Sequence, residues 1–230
     1  MHKIYYNETL KLKLLEKDTI CTVIEQTKNL THVLAVWDTI GILSKYLYPG
    51  SIVMDVGAFV GDSTQYFIDR GATTVYAFEP NYEPYMCLLY NCPRAIPINR
   101  PLGKSGQLVY AAWSDTLSNK IGGQAYYIED RGLADECDVP QYEMSLDEFT
   151  HLEKCDLLKL DAEGAEYRIL DNGRKFLDKY KPFIITEIKH RQLQRNGSSS
   201  TAYQQLLTKL DYVHIAVIGV DHFYQHGLRK

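Results

Sequence analysis

The stretch "MDVGAFVGDST", residues 54–64, is a small-residue loop between an apolar run and a helix-like segment. Loops of this look hold dinucleotides, nucleoside triphosphates or S-adenosylmethionine, and each ligand demands different residues. A dinucleotide loop needs G-x-G-x-x-G; counted from Gly57, Phe59 and Asp62 stand where the second and third glycines belong. A triphosphate loop needs G-x-x-x-x-G-K-[ST]; here Gly61 comes one residue early and Asp62 replaces the lysine. The charges agree with both failures. A helix N-terminus attracts anions through its free N–H groups and its dipole, but Asp62 already occupies that position and Asp55 adds a second negative charge nearby. Two carboxylates repel a pyrophosphate. A ligand with an ammonium and a sulfonium and no phosphate suits them, and S-adenosylmethionine is such a ligand. Its carboxylate can still meet a backbone N–H of the loop.

Outward from the loop, "SIVMDV" (51–56) is a short apolar run rich in β-branched residues, which predicts a buried strand. Asp62, Ser63 and Thr64 offer helix-start chemistry, and the helix runs to Gly71. "TTVYAFEP" (73–80), "CDLLKLD" (155–161) and "PFIITEI" (182–188) are further strands that end in an acid. "AIPIN" (95–99) and, more weakly marked, "GQLVYAA" (106–112) also read as strands. Helices are expected at "WDTIGILSKYL" (37–47), "YEPYMCLLYN", "MSLDEF", "AEYRILDNG" and "AYQQLLTKL". Residues 113–138 read as a loop or flap, and "YVHIAVIGV" with "HFYQH" as a closing hairpin. Strands alternating with helices indicate a parallel sheet covered on both faces. In such sheets ligands bind at the carboxyl ends of the strands, near the switch in strand order. Asp55, Glu79, Asp161 and Glu187 line that rim. Glu79 is placed to accept hydrogen bonds from both hydroxyls of a ribose.

Composition narrows the function classes. The chain has 230 residues, 45% hydrophobic and 23% charged, as expected of a globular protein with one main domain. A net charge of -4 and a pI near 6.0 give no general attraction to nucleic acid or anionic membranes. No apolar run approaches the roughly 18–20 residues that span a bilayer. The opening residues lack the apolar centre of a signal peptide, so the cytoplasm is the default expectation. Cys21, Cys87, Cys92, Cys137 and Cys155 contain no C-x-x-C pair and read as reduced thiols.

"DVGAFVGDST", "AFEPN" and "CDLLKLDAEGAEYRILDNG" (155–173), in that order, closely resemble the FkbM family of S-adenosylmethionine-dependent methyltransferases. The family pattern here is hydrophobic-K-hydrophobic-D-x-E-G-x-E, and "MSLDEF" (144–149) is similar to its Ser/Thr-Leu-Asp step. The resemblance spans roughly residues 48 to 190. It implies the α/β class I methyltransferase (Rossmann-like) fold, with a seven-stranded, mostly parallel sheet, an antiparallel last strand and helices on both faces. It also implies O-methylation, commonly of hydroxyls on sugars or secondary metabolites. The acceptor does not carry over. Residues 1–35 match nothing in the family and are read as an N-terminal extension packing on the core, with residues 36–230 as the methyltransferase domain.

The expected cofactor site comprises Asp55, Gly57, Ala58, Phe59, Gly61, Asp62, Ser63 and Thr64 around the loop, and Glu79, Pro80 and Asn81 at the ribose. Leu102 and Gly103 are expected to frame the adenine, and Asp161 to stand beside the methyl donor. Trp113 in "AAWSD" (111–115) is a rival for stacking on the adenine or a sugar. Methyl transfer to a hydroxyl is an in-line displacement in which positioning supplies much of the catalysis, and a base need only receive the hydroxyl proton. Asp161, Glu163 and Glu187 are the candidate acids, with His190 next. On a helix, Glu163 and Glu166 would share a face. Lys159 is a possible partner for one of these acids, and "KHRQLQR" (189–195) is read chiefly as a solvated helix start. A divalent metal held by Asp161, Glu187 and His190 is conceivable and not favoured. The expected function is methyl transfer from S-adenosylmethionine to a hydroxyl of a small molecule or glycan. The alternatives are RNA 2′-O-methylation, a non-catalytic S-adenosylmethionine-binding module and a nicotinamide-dependent oxidoreductase.

Overall fold

The structure is a computed structural model, and it describes residues 3–114, 124–128 and 139–228. The chain opens with a hairpin, β1 (Ile4–Asn7) and β2 (Leu12–Leu15), and helix α1 (Thr19–Thr27). Asp18 caps that helix by accepting from the Cys21 N–H at 2.9 Å. Two 3-10 segments follow, His32–Ile40 and Leu43–Lys45. The helix expected over 37–47 is therefore broken: Gly41 turns left-handed at φ 71° and ends the first segment. Trp37 nevertheless points inward and packs against Tyr66, Phe67 and Phe223.

From there strands and helices alternate as the apolar pattern predicts. The order is β3 (Ile52–Val56), α2 (Asp62–Asp69), β4 (Thr74–Phe78), α3 (Tyr82–Asn91) and β5 (Ile96–Ile98). After β6 (Leu108–Ser114), β7 (Gln124–Ile128) and β8 (Val139–Tyr142) come a 3-10 turn at Leu146–Phe149 and β9 (Leu157–Leu160). The chain closes with α4 (Glu166–Asn172), α5 (Arg174–Tyr180), β10 (Phe183–Glu187), α6 (His190–Arg195), α7 (Ser200–Lys209), β11 (Tyr212–Ile218) and β12 (Asp221–His226).

Seven strands form one sheet in the order β11-β12-β10-β9-β3-β4-β5. Neighbours from β10 to β5 are parallel. β12, the last strand in the chain, runs antiparallel to both β10 and β11. This is the class I methyltransferase sheet that the resemblance implied. "GQLVYAA" is a strand, but it belongs to a separate sheet ordered β7-β6-β8. Trp113 and Ser114 lie in β6 and residues 124–128 in β7, so part of the expected loop at 113–138 is strand. The aromatic and β-branched content of these segments favours that outcome. The rest of the expected loop, Cys137 included, lies outside the described residues.

Alternation along the strands sorts side chains to two faces. Val53, Val75, Leu157, Phe183 and Ile185 pack under α2 and the Trp37 segment. Met54, Val56, Leu158, Leu160 and Ile184 pack under α4, α5 and α7. The N-terminal hairpin reaches the same body through α3: Asn91 accepts from the Lys13 N–H and donates to the Lys13 carbonyl, both at 2.8 Å. The Asn91 amide also donates to Val60 O at 2.9 Å, which ties the hairpin to the loop after β3. No helix among the described residues is long and apolar enough to cross a membrane.

Candidate functional site

Strand order reverses between β3 and β9, so a crevice opens beyond their carboxyl ends. In the register of this pair Asp55 lies directly opposite Lys159. Asp55 is fully buried and accepts from Ser63 Oγ at 2.8 Å and Thr64 Oγ1 at 2.6 Å. The Lys159 ammonium stands 3.4 Å from Asp55 and 3.6 Å from Asp161, and it donates to the Gly57 carbonyl at 2.6 Å. Burial opposes the charge on Lys159, but Asp55, Asp161 and Asp62 together outweigh it and hold the pKa above its ordinary value. Lys159 thus pairs with acids on two strands. Ser63 and Thr64 do not cap α2; Gly61 occupies the cap position with no side-chain bond, and the two hydroxyls turn back to Asp55. Asp62, in the first turn, has its carboxyl pushed up to about 6, mainly by burial and with Asp55 adding to it.

The loop itself is held from β4. The Gly57 and Ala58 N–H groups both donate to the Phe78 carbonyl at 2.9 Å. Phe59 takes a left-handed conformation, φ 48°, and donates its N–H to Glu79 Oε2 at 3.0 Å. The Asn81 N–H donates to Glu79 Oε1 at 2.8 Å. Burial pushes the Glu79 carboxyl up to about 7 against these hydrogen bonds. Gly57 sits at φ 78°, and a Cβ there would overlap the Asp161 carbonyl, 2.8 Å from its carbon. Only glycine lets the two strand ends approach this closely.

Behind Glu79, Asn99 Nδ2 donates to the Glu79 and Pro80 carbonyls at 2.8 and 3.0 Å, and Gln141 Nε2 donates to Pro80 O at 2.6 Å. Leu102, expected to frame an adenine, packs into the core and is 1% exposed. Gly103 is bridged to Met144 by its N–H at 2.7 Å and lies against the buried Glu143 carboxylate, which pairs with Arg168 at 2.7 Å. Of the rival Trp113, the described feature is its place in β6.

The acids at the ends of β9 and β10 come together. Asp161, Glu163 and Glu187 each bring one carboxylate oxygen to within 4.8 Å of the others. Asp161 is 38% exposed along its side chain, whereas Glu187 is buried. Glu187 Oε1 pairs with Lys189 at 2.6 Å, and its buried Oε2 has no hydrogen-bond partner among the described residues. Burial first, then Asp161, pushes the Glu187 carboxyl up to about 10. The same two causes push Glu163 up to about 8. Glu163 and Glu166 do not share a helix face. Glu163 precedes α4 at φ 53°, and Glu166 turns inward to accept from the Ala162 and Gly164 N–H groups at 2.7 and 3.2 Å. Gly164, at φ 104°, leaves no room for a Cβ against the Gln192 carbonyl. His190 is exposed, with Nδ1 3.4 Å from Ser200 Oγ, and it stands outside the acid group. The "KHRQLQR" segment is only partly solvated, for Gln192 and Leu193 of α6 are buried and the Gln192 amide donates to Glu163. Asn99, Gln141, Glu166 as an inward cap and Gln192 carry no spacing signal that marks them, because each acts on a residue brought to it by the fold.

The family model for the methyltransferase FkbM domain matches residues 55–213, more than half of the chain. The chain belongs to the FkbM methyltransferase family. The match begins at Asp55, the acid that anchors the loop, and extends beyond the acid group at β9 and β10. Among solved structures, this FkbM chain is similar to a methyltransferase FkbM from Methylobacillus flagellatus KT, with 15% identity and a TM-score of 0.49. It covers 76% of this chain and 43% of that one, so the present chain spans less than half the length of that relative. It is also similar to an rRNA methylase from Streptococcus thermophilus, with 13% identity, a TM-score of 0.46 and coverage of 82% and 94%. A methyltransferase from Streptococcus mutans in complex with SAH gives 10% identity, a TM-score of 0.46 and the same two coverages. Comparison with curated proteins finds no significant match.

Proposed function

We propose that this FkbM methyltransferase uses S-adenosylmethionine to methylate a hydroxyl of a small molecule or glycan. The observation that carries the reading is the Gly57–Thr64 loop, held in a left-handed course over Asp55 and Glu79 at the switch point of the sheet. That surround suits the cofactor. It lacks the basic residue and the glycine spacing a pyrophosphate needs, and buried or half-buried acids at 55, 62, 79 and 161 favour a ligand of net positive charge. Glu79 Oε2 accepts one bond, from the Phe59 N–H, and retains a lone pair for a ribose hydroxyl, while Oε1 accepts from both the N–H and the side-chain amide of Asn81. When bound, S-adenosylmethionine supplies an electrophilic methyl group on a sulfonium.

The chain's own residues do the rest. Gly57, Ala58, Phe59, Gly61, Asp62, Ser63 and Thr64 shape the methionine end, and Glu79, Pro80 and Asn81 the ribose end. Leu102 and Gly103 form the floor on the adenine side through backbone and packing, and Asp161 stands at the methyl-bearing centre. The acceptor hydroxyl gives up its proton as the new bond forms. Asp161, Glu163 and Glu187, whose carboxylates gather at the ends of β9 and β10, are the acids placed to receive it. Positioning of acceptor and methyl group in line supplies the larger share of the rate. An acidic pI near 6.0 speaks against an RNA acceptor.

Calorimetric titration with S-adenosylmethionine and S-adenosylhomocysteine tests the reading. Micromolar binding by the wild type, weakened at least tenfold in Glu79→Gln, is expected. A folded wild type, stripped of co-purified ligand, that binds neither compound would overturn it. Asp161→Ala and Glu163→Ala should then abolish methylation and leave cofactor binding measurable, which a non-catalytic binding module would not show.

A further inference from the structure

We propose that Asp161, Glu163 and Glu187 form a binding site for one hard divalent cation, such as Mg2+ or Mn2+. It concerns the acids to which the proposed function gives the hydroxyl proton, but it is tested by binding alone. Two oxygens bound to one ion are separated by at most twice the metal–oxygen distance, about 4.2 Å for Mg2+ and about 4.8 Å for Ca2+. Three carboxylate oxygens from separate side chains already lie within 4.8 Å of one another. Side-chain adjustment suffices to close them on a smaller ion, because Asp161 and Glu163 are only half-buried.

The second observation is Glu187 Oε2. It is buried in a side chain that is itself 8% exposed and belongs to this group of acids, and nothing among the described residues donates to it. A buried polar atom with no partner costs free energy, and native structures satisfy such atoms with water or an ion where no protein group does. The nearby ammonium groups do not. Lys189 is engaged with the other oxygen, Oε1, and Lys159 is directed at the Gly57 carbonyl and Asp55. Among the described residues, Glu163 receives the neutral Gln192 amide on its carboxylate. Around the crevice Asp55, Asp62, Asp161, Glu163 and Glu187 face Lys159 and Lys189, so acidic side chains outnumber basic ones.

The donor set selects the metal class. It is all oxygen, with no thiol or imidazole, since His190 faces Ser200 and the four described cysteines are buried elsewhere. Carboxylate sites favour Mg2+, Mn2+ and Ca2+ over zinc or copper. Three protein oxygens also leave coordination positions for water or an acceptor hydroxyl, and the exposed side of Asp161 gives the ion an entry path.

Mn2+ is the probe. Its free-ion electron paramagnetic resonance signal is titrated with purified chain in metal-free buffer. One Mn2+ per chain is expected, with affinity weakened at least tenfold in Asp161→Asn and in Glu187→Gln, unchanged in the surface variant Asp171→Asn, and competed by Mg2+. Circular dichroism shows whether each variant is folded, and Glu187→Gln replaces the orphan acid with a neutral group of the same shape. No loss of free Mn2+ signal at millimolar metal would overturn the proposal, as would equal binding by the wild type and both site variants. A parallel titration with S-adenosylhomocysteine in chelator keeps the cofactor reading separate: it can succeed where metal binding fails, or the reverse.

Discussion

Lys159→Met isolates the electrostatic joint between β3 and β9. The substitution keeps most of the buried stem, since the Lys159 side chain is 7% exposed, and so leaves little cavity. It removes the ammonium that stands 3.4 Å from Asp55, a carboxylate with no solvent contact that also accepts from the Ser63 and Thr64 hydroxyls. Breaking a buried ion pair from one side costs about 3–5 kcal/mol, because the remaining charge is left uncompensated. The lost bond to the Gly57 carbonyl is contained in that figure. Urea unfolding followed by circular dichroism reads the effect. With a slope of about 2 kcal/mol per molar urea, a 4 kcal/mol loss moves the midpoint down by about 2 M. Asp55→Asn in the same chain removes the stranded charge, so the double variant should recover about 2 kcal/mol relative to the single one. A midpoint shift below about 0.5 M, or a double variant no more stable than Lys159→Met, would refute the argument that Lys159 neutralises Asp55.

Gly57→Ala forces a side chain into the Asp161 carbonyl at a left-handed φ of 78°, where the obstacle is backbone and cannot rotate away. We expect a loss of about 2–4 kcal/mol in chemical unfolding, together with loss of cofactor binding. S-adenosylhomocysteine affinity should depend on Glu79, whose carboxyl lies at about 7 in the free protein. If the ribose needs the carboxylate, binding at pH 6 is about tenfold weaker than at pH 8, and Glu79→Gln removes that dependence in calorimetry. The folded pKa values of Asp62, Glu79, Glu163 and Glu166 are all raised, to about 6, 7, 8 and 7. Such groups stabilise the fold most below their unfolded values near 4–4.5, and that stability is lost as pH rises through 6 to 8. The ligand-free chain should therefore melt at a lower temperature at pH 8.5 than at pH 6, with Glu166→Gln flattening the difference in a calorimetric scan.

Much of the fold was legible along the chain because its signals are local. Asp55 ends an apolar β-branched run, glycines follow at 57 and 61, and Glu79 closes the next such run; strand, turn and helix follow from residues close in sequence. The ordered FkbM motifs extended that reading to the sheet and its antiparallel last strand. Local signals also misled. Residues 37–47 carry helical spacing but contain Gly41, which breaks the helix, and Asp62, Ser63 and Thr64 look like a cap where Gly61 takes that place and the hydroxyls serve Asp55.

By itself the sequence determined the class of site: a small-residue loop hostile to phosphate, acids at strand ends and the family pattern that joins them. Only the tertiary structure decided how those acids are used. It set Lys159 across from Asp55 by strand register, turned Glu166 inward to hold the turn that Glu163 and Gly164 make, and excluded His190 from the acid group by directing it to Ser200. It also brought Glu187 to Asp161 and Glu163 and left one of its oxygens buried without a partner among the described residues. The reason is physical. Periodicity and turn chemistry act over a few residues, whereas charge pairing and desolvation depend on which distant strands the packed core brings side by side.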